Sequence, residues 1–261
     1  MIPVYSISKP FLAQAILELG FDLTQPISRY LPGLAEVYGI RTVGALLNHT
    51  SGLRDYGAAA SYQQAVAAGE PAWSQGELLL LAENFAHQSP DRQEFEYSNI
   101  GYLLLKQALE HNTGLRYFAA LTKLVFEPLA INGFAEWAER HPSIPTYDPN
   151  WVYSGTFLGQ QDLIAKNLAK LARHRAETIG LTAGLEPVPY PNTGFNNPGY
   201  NYGFMTNGNP PSAVGHGGGG PGFEMMALVS TDDWRSALEV STEGGFNQTE
   251  AIGRLRARLG V

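Results

Sequence analysis

Pro3-Val4-Tyr5-Ser6-Ile7-Ser8-Lys9-Pro10-Phe11 decides how the rest of the chain is read. Ser6 and Lys9 spell Ser-x-x-Lys, and Phe11, Leu12, Ala15, Ile16 and Leu19 follow at the spacing of a buried helix face. On a helix, positions i and i+3 share a face, so a hydroxyl and an ammonium come side by side. A serine hydroxyl alone is a weak nucleophile. An amine within hydrogen-bond reach, its proton affinity lowered by burial, can take the hydroxyl proton. The same four letters also occur by chance, as a capped helix start with an exposed lysine. Other stretches have to decide between the two.

Bulk properties narrow the field. The 261 residues, 44% apolar and 16% charged, describe one sizeable globular core. A formal charge of −7 with no basic run excludes a nucleic-acid partner, because nothing is there to neutralise phosphates. No apolar run approaches the ~20 residues that cross a bilayer. With no Cys there is neither a disulfide nor a thiolate site, and the compartment is undetermined. The residues before Ser6 are too few for a signal peptide. The location is therefore open: cytoplasmic is the expectation for the chain as written, periplasmic or secreted if its true start lies upstream. His49, His87, His111, His141, His174 and His216 include no His-x-x-x-His pair, so no metal and no cofactor is expected. His49 reads as a structural residue beside the Ser6 pocket.

Working outward, Arg41 to Leu47 reads as a short helix stopped at Gly52, and Ser74-Gln75-Gly76-Glu77 as a capping box that opens another. Ile100 to Asn112 is amphipathic and closed by Gly114; Arg116 to Val125 and Gln160 to Arg175 are also helical. Residues 133 to 156 read as irregular. From Glu186 to Pro211 the composition turns to Pro, Asn, Gly and Tyr, which reads as a loop bordering a cleft. Tyr190, Phe195, Tyr200 or Tyr202 is expected to shape an acyl pocket there. Tyr202 to Met205 begins a meander through Ala213 to Gly217, Phe223 to Ser230 and Ser236 to Ser241, before a final helix, Gln248 to Leu259.

Two further islands carry chemistry. His216-Gly217-Gly218-Gly219-Gly220 sets four glycines in a strand context, which weakens a strand unless something must approach its backbone. An oxyanion needs that approach. No Gly-Lys-Ser/Thr follows, so a phosphate cradle is disfavoured. In Tyr97-Ser98-Asn99, a phenol near an ammonium can relay a proton. Tyr190-Pro191-Asn192 shares the spelling but has no helix after it.

In this order the islands resemble the class C β-lactamase-like, penicillin-binding-protein-like serine hydrolases, a group that includes D,D-peptidases, D-aminopeptidases and family VIII carboxylesterases. The resemblance also runs through Phe21-Asp22-Leu23, Tyr30-Leu31-Pro32, Leu46-Leu47-Asn48-His49-Thr50-Ser51-Gly52-Leu53, Tyr97 to Tyr102, Phe126-Glu127-Pro128-Leu129 and Pro221-Gly222-Phe223. It implies an α/β (α+β) fold: an antiparallel sheet (about residues 200 to 261) flanked by helices, with a mostly helical region (about 10 to 180), in one domain over 1 to 261. It also implies Ser6 as the acylated nucleophile, Lys9 as proton acceptor and Tyr97 as proton shuttle, with the choice of base between Lys9 and Tyr97 open. The N–H groups of Ser6 and Gly219 would form the oxyanion hole. Asn99 would orient Lys9 or a substrate amide, and His216, Gly217 and Gly218 would contact substrate.

Two departures from the group matter. Lys-Thr-Gly or Lys-Ser-Gly is replaced by His216-Gly217-Gly218, which removes a cation and a hydroxyl that hold a substrate carboxylate. Esters of small alcohols or phenols are therefore expected before β-lactams, with D-peptides as an alternative and a non-catalytic binding homologue as another. The chain is also N-terminally shortened against the group, and the first helix is about one turn short because Gly20 meets Phe21 directly. The strand at Ser236 to Ser241 is then expected to be an open edge through which copies associate, unless the start lies upstream.

Overall fold

The computed structural model describes residues 1–83, 94–181, 188–189 and 194–261. His87 and Tyr190 lie outside the described residues. The helix α1 (Lys9–Glu18) is buried on every side from Lys9 to Ile16, the pattern of a helix that runs through a core. The strand β1 (Ile2–Pro3) leads into it by a 3-10 turn, Tyr5–Ser8. The α-helix thus starts at Lys9 rather than at Ser6. Tyr5 takes a left-handed φ of 45°, and Pro10, which needs no N–H partner in a first turn, sits just inside the helix.

The helical part continues through α2 (Glu36–Gly39) and α3 (Val43–Leu47). Here α3 stops before Gly52, because His49 turns the chain with a φ of 57°. After α4 (Ala60–Ala67), the helix α5 (Gln75–Glu83) opens on a formed capping box: Glu77 Oε2 accepts from Ser74 N at 2.8 Å and Glu77 N donates to Ser74 Oγ at 3.2 Å. The helix α6 (Asn99–Thr113) ends at Gly114, and α7 (Tyr117–Leu121) runs into a π-helical turn, Thr122–Phe126. The stretch read as irregular holds one short strand, β2 (Phe134–Ala135); β3 (Leu158–Gly159) follows just after it, and the two join β1 in a small antiparallel sheet in the order β1-β3-β2. Phe11 of α1 meets Phe126, Phe134 and Phe157 edge-on at 5.8, 5.5 and 5.8 Å, so one aromatic cluster fixes the helix against this layer.

After α8 (Gln161–Thr178) comes the main sheet: β4 (Val188–Pro189), β5 (Pro198–Asn201), β6 (Phe204–Asn207), β7 (Ala213–Gly220), β8 (Phe223–Ser230) and β9 (Ser236–Ser241), antiparallel and in chain order. The helix α9 (Gln248–Leu259) packs on β8 and β9. The loop reading of 186 to 211 is thereby corrected, because β5 and β6 are strands of this sheet. Pro198 takes the first position of its strand, where a missing N–H is tolerated. Tyr202 and Gly203, at φ 40° and 88°, form the two-residue turn between them. Gly203 has a second reason: a Cβ there would come within 2.8 Å of Pro10 Cα. The hairpin therefore seats directly on the start of α1.

Arg175 locks this junction. Buried in α8, it donates to Gln14 Oε1 at 2.9 Å, to Pro10 O at 3.0 Å and to Tyr202 O, with Phe204's ring 4.9 Å beneath it. Burial lowers it to about 10, so it remains a cation at neutral pH. One guanidinium thus joins α8, the first turn of α1 and the β5–β6 hairpin, and lysine has no planar fork to reach all three acceptors. Arg175→Lys is expected to lower the free energy of unfolding by about 2–4 kcal/mol, read by urea denaturation. A change below the error of that measurement would remove Arg175 from this role.

Candidate active site

Ser6 Oγ lies 2.9 Å from Lys9 Nζ and 2.9 Å from Tyr97 Oη. Lys9 also donates to Asn99 Oδ1 at 2.7 Å, and Asn99 Nδ2 donates to Asp55 Oδ2 at 2.9 Å. An ammonium only donates and a carboxylate only accepts, so these neighbours fix which way the Asn99 amide points. Of the two roles open to Asn99 from sequence, the geometry fits the orientation of Lys9. The ammonium has no exposed surface, and its other neighbours are aromatic faces, Tyr97 at 5.1 Å and Tyr102 at 5.4 Å.

Burial sets the proton affinities. It lowers Lys9 to about 7, with the charge of Asp55 pulling back upward. Burial raises Asp55 as well, against hydrogen bonds from Gly57 N and Asn99 and the charge of Lys9. At neutral pH a substantial fraction of Lys9 is therefore the free amine, whose lone pair can accept a proton from Ser6.

Tyr97 is placed by His49. Glu96 N donates to the His49 carbonyl at 2.8 Å, Ser98 N donates to His49 Nδ1 at 3.1 Å, and the imidazole lies against the Tyr97 ring at 4.4 Å. Both residues flanking Tyr97 are thus tied to one residue at the end of α3. Because Nδ1 accepts, Nε2 carries the proton and donates to Tyr200 Oη at 3.2 Å; Tyr200 then donates to His216 Nε2 at 3.1 Å. His216 Nδ1 in turn donates to Gly217 O at 2.6 Å. Burial and Lys9 push His216 down to about 3 and His49 well below its usual range, so both imidazoles are neutral. The tautomers are assigned from these partners. Both ring nitrogens of His216 are engaged within the protein, while the residue itself lines the cleft beside Gly217 and Gly218.

The cleft, of about 350 Å³, is bounded by Ser6, Tyr97 and Asn99 on the helical side and by His216 to Gly219 on the sheet side. Strand β6 pairs with β7 only at Ala213, Val214 and Gly215, whereas β8 pairs along all of β7. The glycine half of β7 therefore has one ladder only, and the Tyr5–Ser8 turn lies against it. A Cβ at Gly218 would overlap the Val4 carbonyl oxygen, so the bare backbone is what allows this approach. Tyr5 Oη donates to Pro221 O at 2.7 Å, which holds the left-handed residue before Ser6 in place. The expected pocket aromatics are corrected too. Tyr200 is fully buried behind His216, Phe195 and Tyr202 are in the core, and among the described residues of that region Met205 reaches the cleft.

A model of the family described as Beta-lactamase matches residues 1–258. The chain belongs to that family. Penicillin-binding protein 4* of Bacillus subtilis is 24% identical over 91% of this chain and 60% of its own length. A D-aminopeptidase of Cereibacter sphaeroides is 24% identical over 99% of this chain and 53% of its own. The chain thus spans little more than half the length of these curated relatives. A D-stereospecific amidohydrolase from Streptomyces sp. superposes with a TM-score of 0.76 at 23% identity, covering 100% of this chain and 87% of that one, which establishes the shared fold. Beta-lactamase family membership makes this a serine hydrolase fold with an antiparallel sheet and flanking helices.

Sequence reasoning missed Asp55 and the Tyr200 link. Asp55 had one available signal: a single acid directly after Leu53-Arg54, two residues before Gly57, where it caps a 3-10 turn. Asp55→Asn removes the charge that holds Lys9's affinity up. The acid limb of kcat/KM is therefore expected to move to lower pH by about one unit. A limb that stays in place or moves upward would contradict the coupling.

Proposed function

We propose that the chain hydrolyses carboxylic esters through an acyl-enzyme on Ser6. The observation that carries this is the Ser6 hydroxyl held 2.9 Å from both a buried amine and a phenol. Ser6 Oγ attacks the ester carbonyl as its proton passes to neutral Lys9, and the N–H groups of Ser6 and Gly219 receive the developing oxyanion. Tyr97 carries the proton to the leaving alkoxide, which departs as the alcohol. Water then adds to the acyl-Ser6 carbonyl, its proton taken by the same pair; the bond to Ser6 Oγ breaks as that proton returns to Oγ, and the acid leaves, ionising to the carboxylate in solvent. These roles need no metal or cofactor.

Substrate class follows from charge. Lys9 is sealed behind Ser6, His216 is neutral with both nitrogens occupied, and no Lys or Arg lines the described cleft. A substrate carboxylate has no cation to meet, which favours esters of small alcohols or phenols over β-lactams. A second reading, amide or peptide bonds next to a D-residue, is favoured by the names of the D-aminopeptidase and the D-stereospecific amidohydrolase that the chain resembles.

A fluorophosphonate probe is expected to label the protein, and Ser6→Ala to abolish both the label and the turnover of p-nitrophenyl acetate or butyrate. Binding without labelling would favour a non-catalytic homologue. Rapid turnover of nitrocefin with both esters inert would reverse the substrate assignment.

A further inference from the structure

The cleft carries one charge that the proposed chemistry does not use. Among its described lining residues Glu224 is the single formally charged side chain, beside Met225, Phe246 and Gln248. Glu224 is half-buried, and its Oε2 accepts from Phe246 N at 3.3 Å, which ties the carboxylate to the wall. Across the β7–β8 ladder it stands opposite Gly219. Directly opposed residues on antiparallel strands project to one face with Cβ atoms about 5 Å apart. At Gly219 a Cβ would meet nothing within 4 Å, so the space on that face beside Glu224 is open.

We propose that Glu224 is a specificity-determining residue that receives an ammonium group, so that the preferred acyl donors carry an amine close to the scissile carbonyl. This rests on the acyl-enzyme reading of Ser6. Gly219 supplies the connection: the strand position proposed to meet the oxyanion is the cross-strand partner of the acid, and a carbonyl bound there holds an α-amino group near Glu224. Met225 and Phe246 offer apolar walls to the rest of such a molecule. An acid substrate meets repulsion at the same place. A second cation does stand nearby, Lys9, but it is sealed behind Ser6 and at neutral pH is in part uncharged.

Alanine ethyl ester, as both enantiomers, and ethyl isobutyrate differ by an ammonium in place of a methyl group. At pH 7 the amine is largely protonated, and hydrolysis of each is followed by pH-stat. The wild-type ratio of kcat/KM, amine over isostere, is expected to exceed one for at least one enantiomer. It should fall roughly five- to tenfold in Glu224→Gln, chiefly through KM, as for a half-exposed charge pair. Raising the salt concentration on the wild-type protein should lower the same ratio, which tests the charge without any substitution. A ratio indifferent to both Glu224→Gln and salt would overturn the assignment. So would a wild-type protein that takes the fluorophosphonate label on Ser6 yet shows no preference for the amine, and there the acyl-enzyme reading stands. Absence of any label on the wild type would overturn both.

Discussion

An ammonium denied water is the constraint on which the site depends. Lys9 is enclosed by the Ser6 hydroxyl, by the Asn99 amide and by two aromatic faces, and burial, opposed by the charge of Asp55, brings its affinity from that of an ordinary lysine down to about 7. Full neutralisation is resisted by Asp55, itself buried and reached through the single amide of Asn99. The protein thus holds an amine close to half-protonated at neutral pH, where proton transfer in either direction meets the smallest barrier. An exposed lysine one helical turn from a serine would have none of these properties.

Keeping water away is a task for the whole fold. Lys9 opens α1, and α1 runs through the core with its first turn clamped by Arg175 and covered by the Tyr202-Gly203 hairpin. Tyr5 absorbs a left-handed backbone so that Ser6 faces the glycine half of β7, and the bare Gly218 lets the two backbones meet. From the opposite side His49 fixes Tyr97 through both neighbouring residues, then passes its remaining N–H through Tyr200 to His216. That chain of bonds runs in one direction from donor to acceptor. It ends at a backbone carbonyl, which holds the imidazole in the sheet in one tautomer, while burial and the charge of Lys9 keep it neutral.

Much of this was legible in the sequence, for identifiable reasons. The 3.6-residue pattern after Ser6, the capping box at Ser74, the Gly114 stop and the Phe223 to Ser230 strand are local signals, and local physics decided them. That Ser6, Lys9 and Tyr97 converge came from the order of motifs along the chain. Three things stayed hidden. The strands β5 and β6 carry Pro, Gly and Asn, whose local preferences favour turns, and they are strands because neighbouring strands complete their ladders. Asp55 carries no sequence signal beyond that of a turn acid, since only tertiary burial separates a capping carboxylate from one coupled to a buried amine. The occupied Nε2 of His216 depends on Tyr200, whose strand has the composition of a loop.

The charge pattern of the cleft follows from the same economy. With its cation hidden and its imidazole neutral, the site presents hydroxyl, amide and backbone groups and, among the described residues, one carboxylate at Glu224, to whatever enters. The reactivity proposed for Ser6 turns on the protonation state of one side chain. Lysine labelled with carbon-13 at Cε, with the Lys9 resonance assigned by its loss in Lys9→Met, lets that state be followed by NMR as pH is raised. A Lys9 signal that titrates near pH 7 is the predicted result; one that titrates in the usual lysine range, above pH 10, would contradict the account.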